Sequence, residues 1–411
     1  MKKAMITLAA LLIGATSYAQ TFEPEPLNNE DFEKVKVTLG ADFAMQYQSL
    51  SHSADSMLIL LGTGLNLPTA NFAINAELAQ GIKVNLTTYL SSRHHVEAWV
   101  KGGYLQMDEL PFLNSAAVDN IMDYLTLKAG VMELNYGDAH FFRSDNGRVI
   151  NNPFTGNYIM DAFTTAPAFE ALFRHNGIIV LAAITTGTLK PALAGYSAFS
   201  GNYTPYNAHE ELAAYWKAGY DTHLNDDLRI RATVSGYHSS NNHFGSLYNG
   251  DRTGSRFYLV MQRQTADGSA DVNPASGHTT GRWGPGFSDE LNAFMFNLFT
   301  KFKGFEFFGT YETNAGTSPF NGSEFNFNQI GVQGLYRFGK TEQFYAGAKY
   351  NTVANSNDMS VSRIEAGGGW NLTENILVKL DYVTQDYKNF IASYGENAEF
   401  NGVMFEAAIS F

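Results

Sequence analysis

The sequence has no cysteine, which excludes a disulfide framework and any thiolate-bound metal. Beyond its first twenty residues it has no long hydrophobic run. The best stretch, Met57 to Leu61, falls far short of the ~20 residues that a membrane-spanning helix needs, so a helical membrane protein is excluded. Charge is scarce as well. Charged residues make up 16% of the chain, below the ~25% of ordinary soluble domains. The balance is acidic, −13 overall, which counts against nucleic acid as a partner. No glycine-rich phosphate loop stands between a strand and a helix.

What the chain has in quantity is aromatic side chains, 14% of residues with 22 Tyr and 31 Phe, together with 38 Gly. Such a composition fits an interface with something apolar. The opening MKKAMITLAALLIGATSYAQ carries two lysines, an apolar stretch and then Ser17-Tyr18-Ala19, the pattern of a secretory signal peptide (1–19) cut after Ala19. Its removal takes Lys2 and Lys3 with it and moves the formal charge to about −15. Residues 20–33, acidic, proline-containing and without a pattern, read as a loose periplasmic lead-in.

From residue 34 onward the dominant signal has a period of two, the mark of strands with unlike faces. In 34–50, Val35, Val37, Leu39, Ala41, Phe43, Met45 and Tyr47 form one face, and Lys36, Thr38, Asp42, Gln46 and Gln48 belong to the other. Seven apolar positions exceed what a sandwich strand of about 5–6 residues buries, and such a length suits a bilayer. Trp216, Ala218 and Tyr220 alternate with Lys217 and Asp221 up to an Asn225-Asp226-Asp227 turn, after which Ile230, Ala232 and Val234 alternate with Arg229 and Arg231. Further hairpins turn at 339–342 and 373–375. The chain ends on GVMFEAAISF, alternating to Phe411, as a strand closing a barrel onto its first strand would.

Tight turns alternate with longer polar connections at 315–324, 353–359 and 388–399, as in an outer-membrane barrel with short periplasmic turns. The fold class is therefore all-β, a single antiparallel transmembrane β-barrel over 34–411. Turn parity requires an even number of crossings between 240 and 289. None gives 16 strands; two, with 255–263 as a strand, give 18; the loop-like 265–290 favours 16. Residues 107–124 read as a short periplasmic helix covering a turn. Tyr47, Tyr350, Trp370 and Tyr382 read as members of interfacial girdles.

One long loop, 135–167, is too aromatic and apolar for disorder. Folded into the barrel it would form a constriction with some of Asp138, His140, Arg143, Asp145, Arg148 and Asp161 in the pore, selecting solutes by field and size; folded outward it would cap the mouth. The inward-facing positions of the strands are mixed in charge: Lys36, Asp42, Lys101, Lys217, Asp221, Arg229, Arg231, Arg337, Lys349, Arg363, Lys379 and Asp381. That mixture gives no basic ladder for anions, and weak selectivity leaning to cations or neutral solutes is expected. Each of these residues also has a plainer role, a solvated ion pair that stabilises the lumen. His94-His95-x-Glu97 puts only His95 and Glu97 on one face, and Asp138 with His140 is not a diagnostic catalytic spacing. No enzyme activity, metal or cofactor is expected. A plugged transporter of some 22 strands would not fit in this length.

Lys128, Gly130, Tyr136-Gly137 and the run YGDAHFFRSDNG…NPFTGNYIMDAF resemble bacterial outer-membrane porins, in particular the 16-stranded phosphate-selective porin-like group and barrel proteins of the Bacteroidota. The resemblance is motif-specific over about 124–187. It implies passive diffusion of small hydrophilic solutes across a Gram-negative outer membrane, with lipids and solutes as partners and a homotrimer or larger complex as the assembly. It does not imply phosphate. The rival reading is a plugged, non-transport barrel acting as scaffold or subunit of an outer-membrane complex.

Overall fold

The computed structural model describes residues 20–24, 26–27, 32–65, 69–92, 96–144, 149–188, 211–240, 247–250, 253–264, 277–286, 290–317 and 322–411. The strands are β1 (Lys36–Ala54), β2 (Gly64–Leu65), β3 (Thr69–Ala79), β4 (Ile82–Ser92), β5 (Val96–Met107), β6 (Leu125–Glu133), β7 (Thr165–His175), β8 (Ile178–Thr185) and β9 (Ala213–Asn225). They continue as β10 (Leu228–Ser239), β11 (Leu291–Phe302), β12 (Phe305–Thr317), β13 (Glu324–Phe338), β14 (Phe344–Asn355), β15 (Ser360–Thr373), β16 (Ile376–Phe390) and β17 (Gly395–Ser410). Apart from the two-residue β2, which lies along Tyr47 and Gln48, each pairs antiparallel with its neighbours in chain order. The result is a closed barrel of 16 strands.

Closure is made by β1. Its first half pairs with β3, from Lys36 opposite Glu77 to Ala44 opposite Thr69, and its second half pairs with β17, from Asp42 opposite Ser410 to Ala54 opposite Ala398. Phe411 adds two backbone bonds to Ala41. One strand thus satisfies both edges, and the offset between its two partners is the stagger a tilted barrel requires.

The alternation read from the sequence sets the two faces. On β13, Ile330, Val332, Tyr336 and Phe338 are exposed on the outside, while Phe327, Gln329 and Gln333 are buried inside. The outer face of β1 exposes Val35, Val37, Leu39, Met45 and Tyr47. Near the tight turns the rings of Phe305, Tyr336, Phe338, Phe344 and Trp370 follow one another around the outside with centroids 4.5–6.3 Å apart. No helix among the described residues is long and apolar enough to cross a membrane; the apolar outer face belongs to strands long enough to span hydrocarbon.

The loops differ from expectation in length and not in number. The connection expected over 388–399 is shorter, because β16 runs to Phe390 and β17 resumes at Gly395; the ladder continues past the apolar band with polar residues outside, where water can solvate them. Residues 255–263 are not a barrel strand. They bend into the lumen, with Phe257 and Val260 fully buried, so the 16-strand count holds and 18 does not. The helix expected over 107–124 is present as a short 3-10 turn (Pro111–Leu113) and α1 (Ala116–Met122).

An arginine at outward-facing Val332, mid-strand, should destabilise the barrel by about 2–4 kcal/mol. The same residue at Asn85, on the water-facing inside of β4, should shift stability by no more than about 0.5 kcal/mol. Urea midpoints of the two refolded variants measure the difference.

Candidate functional site

The long loop after β6 folds inward. Residues 135–144 and 149–163 cross the lumen from β6 to the far wall, where inward side chains of β13–β16 hold its backbone. Asp381 accepts from the Thr155 amide and hydroxyl (2.6 and 2.7 Å), and Glu365 from the Gly156 amide (2.7 Å). Lys349 donates to the Gly156 carbonyl (2.6 Å) and Lys379 to those of Asn152 and Phe154 (2.8 and 3.1 Å). Gln329 exchanges bonds with both ends of the Met160 peptide group, and Asn351 accepts from Ile159. Glycine is needed at 156, because a Cβ would meet Glu365 Oε1 at 2.6 Å and the Phe257 ring at 2.8 Å. It is needed at 137 for a left-handed φ of 69° beside Met295.

At the near end of the loop, charges form a closed knot. Asp138, 1% exposed, accepts from Lys217 Nζ (2.8 Å), Arg231 Nε (2.8 Å) and Thr233 Oγ1 (2.8 Å), and its own amide donates to Asn297. Lys217 also donates to Asn135 at 2.6 Å. Glu23, from the chain ahead of β1, joins at 2.8 Å from Arg231 and 3.3 Å from Lys217. Burial pushes the Glu23 carboxyl up, but Lys217 and Arg231 outweigh it and hold it at about 2. The same opposition leaves Asp138 well below the usual carboxylate range. Within the loop, Arg143 grips Asp161 through Nε and Nη2 (2.8–2.9 Å) and lies 4.0 Å over the Phe163 ring.

A second segment, 253–264 with 277–286, packs over the loop. Arg256 reaches Glu406 (2.7 Å) and Thr69 (2.9 Å), Gln48 and Tyr258 exchange two bonds, and Arg363 donates to the Gly281 carbonyl (2.8 Å). A third is the lead-in itself. The expectation that 20–33 is loose fails for its first residues: Gln20, Phe22 and Glu23 are buried, with Phe22 set among Phe141, Phe142 and Phe299 at 5.3–6.1 Å. Nothing in the spacing of TFEPEP announces this, since its partners are loop and strand residues more than a hundred positions away.

The filling is one-sided. Along β3–β5 part of the inner wall stays accessible, with Asn75, Asn85, Thr87, Lys101 and Tyr104 half-buried while Gln46, Gln48, Asn71, Gln106, Thr126 and Lys128 are buried. A cavity of about 290 Å³ lies between this wall and the loop. Asp42, Asn71, Asn85, Lys101, Tyr104 and Lys128 stand on the wall side, with Pro24, His140 and Phe141 opposite.

Of the loop residues singled out in the sequence, Asp138, His140, Arg143 and Asp161 lie inside the barrel, each buried and bonded; Asp145 and Arg148 lie outside the described residues. The capping alternative therefore fails for the described loop. His140 bonds Glu133 and Asn135, while Asp138 is held by Lys217, Arg231 and Thr233. His94 and His95 also lie outside the described residues.

The wall residues divide. Lys217, Arg231, Lys349, Arg363, Lys379 and Asp381 are buried against the inserted segments, which corrects the picture of solvated lumen pairs. Several partners also differ from those one turn of strand away: Lys217 pairs with Asp138, Asp221 with Arg229 (2.7 Å), and Lys379 with Glu406 (2.5 Å). Arg337 pairs with Glu306 at 2.6 Å. Lys36 is exposed and Lys101 part-exposed, and Asp42 accepts from Ser410 at 2.6 Å.

Comparison with solved structures matches this geometry to porin barrels. The anion-selective porin from Comamonas acidovorans aligns over 92% of this chain and all of its own, with a TM-score of 0.53 and 10% identity. The high-pH structure of Pseudomonas putida OprB aligns over 92% of this chain and 94% of its own, at a TM-score of 0.50 and 10% identity. The likeness is one of fold. No protein-family model and no curated protein matches the sequence.

Replacing Asp138 by Asn leaves two buried cations short of a carboxylate and should cost about 3–5 kcal/mol, read from unfolding midpoints. Depressed carboxyl pKa values give stability that is present above the ordinary carboxylate range and is lost as pH falls through the folded value. The contribution of Glu23 should therefore be flat from about pH 7 to about pH 5 and vanish toward pH 2. A Glu23→Gln variant should match wild-type stability only at that acid end.

Proposed function

We propose that the protein is an outer-membrane channel of porin type, exported by its signal peptide and passing small hydrophilic solutes down their gradients along one side of a partly filled barrel. The observation that carries this reading is the half-buried polar stretch of the β4–β5 wall, Asn85, Thr87 and Lys101, facing the packed loop across the 290 Å³ cavity. A barrel built only as a scaffold has no need to keep asparagine, threonine and lysine side chains wet on one side while it packs the other. The apolar outer face and its run of aromatic rings fit the hydrocarbon and headgroup levels of a bilayer. Kinship with the phosphate-selective porin-like group and with barrels of the Bacteroidota, without phosphate selectivity itself, and assembly as a homotrimer or larger complex belong to this proposal through the sequence resemblance.

The inner side of the open wall presents Lys36, Lys83 and Lys101 against Asp42, Glu77 and Glu133, while Lys128 is buried beside Glu170 of β7. With the signs matched, the passage has little net field, so selectivity should be weak and set by size. Where a wall lysine meets the cavity, its charge acts directly on a permeating ion.

The second reading, a plugged scaffold or subunit of a larger complex, is favoured by one observation. Every charged residue of the described loop is buried and paired rather than lining water. Single-channel recording of the refolded, signal-free protein in a planar bilayer separates the two. Stable open steps with a reversal potential near zero support the channel, and Lys101→Glu should then move that potential toward cation preference. A barrel that inserts and stays silent supports the scaffold.

A further inference from the structure

The short segment Gln20–Pro24 occupies the lumen differently from the other insertions. The long loop is continuous with the barrel at both ends, and strand side chains hold its backbone. By contrast, among the described residues 20–24 make no backbone-to-backbone bond with the barrel or the loop. They are held through side chains: Phe22 in its three-ring pit with the Arg231 guanidinium 4.2 Å above it, Glu23 on Lys217 and Arg231, and Gln20 donating to the Phe141 carbonyl at 3.1 Å. Arg229 donates to the Gln20 carbonyl at 2.7 Å. This is how a peptide ligand is held, by an aromatic anchor and a charge contact, here supplied by the same chain.

Its position decides what it does. Pro24 lines the mid-lumen cavity of about 290 Å³. Thr21, Phe22, Glu23, Pro24 and Pro26 together line a second cavity of about 670 Å³, with Arg174, Asp221 and His223 from the end of the barrel that carries the tight turns. The segment therefore stands between the two spaces, with Pro24 bordering both, and lifting it out would open the second space toward the first. It would also change the charge of the passage. Lys217, Arg229 and Arg231 are balanced by Asp138, Asp221 and Glu23, and only Glu23 leaves with the segment.

We infer that residues 20–24 are a displaceable gate, an acidic aromatic peptide docked in cis that closes the passage at the tight-turn end of the barrel. This rests on the channel reading above. With the gate displaced, the passage is wider and the knot that lines it keeps Lys217, Arg229 and Arg231 against only Asp138 and Asp221, so conductance rises and selectivity moves toward anions.

The test compares the full signal-free chain with its Phe22→Ala/Glu23→Gln variant in planar bilayers, folding of both being checked by heat-modifiable gel migration. A synthetic peptide of residues 20–27 is then added to the chamber facing the tight turns, and the same peptide carrying both substitutions serves as control. The variant should conduct more than wild type and shift its reversal potential toward anions, and the unaltered peptide alone should restore wild-type behaviour. Should the double variant fail to fold, Glu23→Gln, which keeps the shape, should still give the shift toward anions. A conducting wild type with an identical variant overturns the gate and leaves the channel standing. Silence of both, despite insertion, overturns the channel and the gate with it. Fluorescent labelling of the peptide then shows independently whether the cradle takes it up.

Discussion

Everything in this structure depends on one constraint: a backbone that faces hydrocarbon must find all its hydrogen-bond partners within the protein. A sheet meets that requirement only by closing on itself, and here β1 carries the closure by pairing with β3 along its first half and β17 along its second. Because the ladder is continuous, outward positions are free to be apolar and inward positions are free to be anything the interior needs. The alternation of Lys217 and Asp221 with Trp216 and Tyr220 follows from that division.

The interior has a constraint of its own. A loop of some thirty residues drawn into a barrel brings its peptide groups into a space from which it excludes much of the water, and each buried group left unpaired costs free energy. The wall of β13–β16 supplies the partners: Asp381, Glu365, Asn351, Gln329, Lys349 and Lys379 each bond the loop backbone. Side chains that look from sequence like a mixed-charge pore lining are therefore committed to holding the loop. On the opposite side, β3–β5 have less to hold, and Asn75, Lys83, Asn85, Thr87 and Lys101 are only half-buried. The filling itself makes the lumen asymmetric.

The barrel was legible because strand alternation is local, repeated and tied to one face per strand. Turn parity carried the strand count, and the unusual apolar content of 135–167 marked the loop for burial. What could not be read were partnerships across the barrel. Lys217 has Asp221 four residues away on the same face, yet it pairs with Asp138, because the loop brings that carboxylate within 2.8 Å. The fate of Phe22 and Glu23 was hidden for the same reason, since their pit is assembled from 141–142, 217, 229–231 and 299 only after the barrel closes. Residues 255–263 were ambiguous because a short apolar run reads alike as strand or as buried loop.

The central claim, that the lumen is packed along one wall and wet along the other, is tested most directly by cysteine accessibility, for which the natural chain supplies a blank background. Single cysteines at Asn85 and Thr87 on the open wall, and at Asn297 and Gln333 on the packed wall, are treated in folded barrels with a charged, membrane-impermeant maleimide. The account predicts fast modification of the first pair and protection of the second. Equal rates at all four, or protection at 85 and 87, would contradict it.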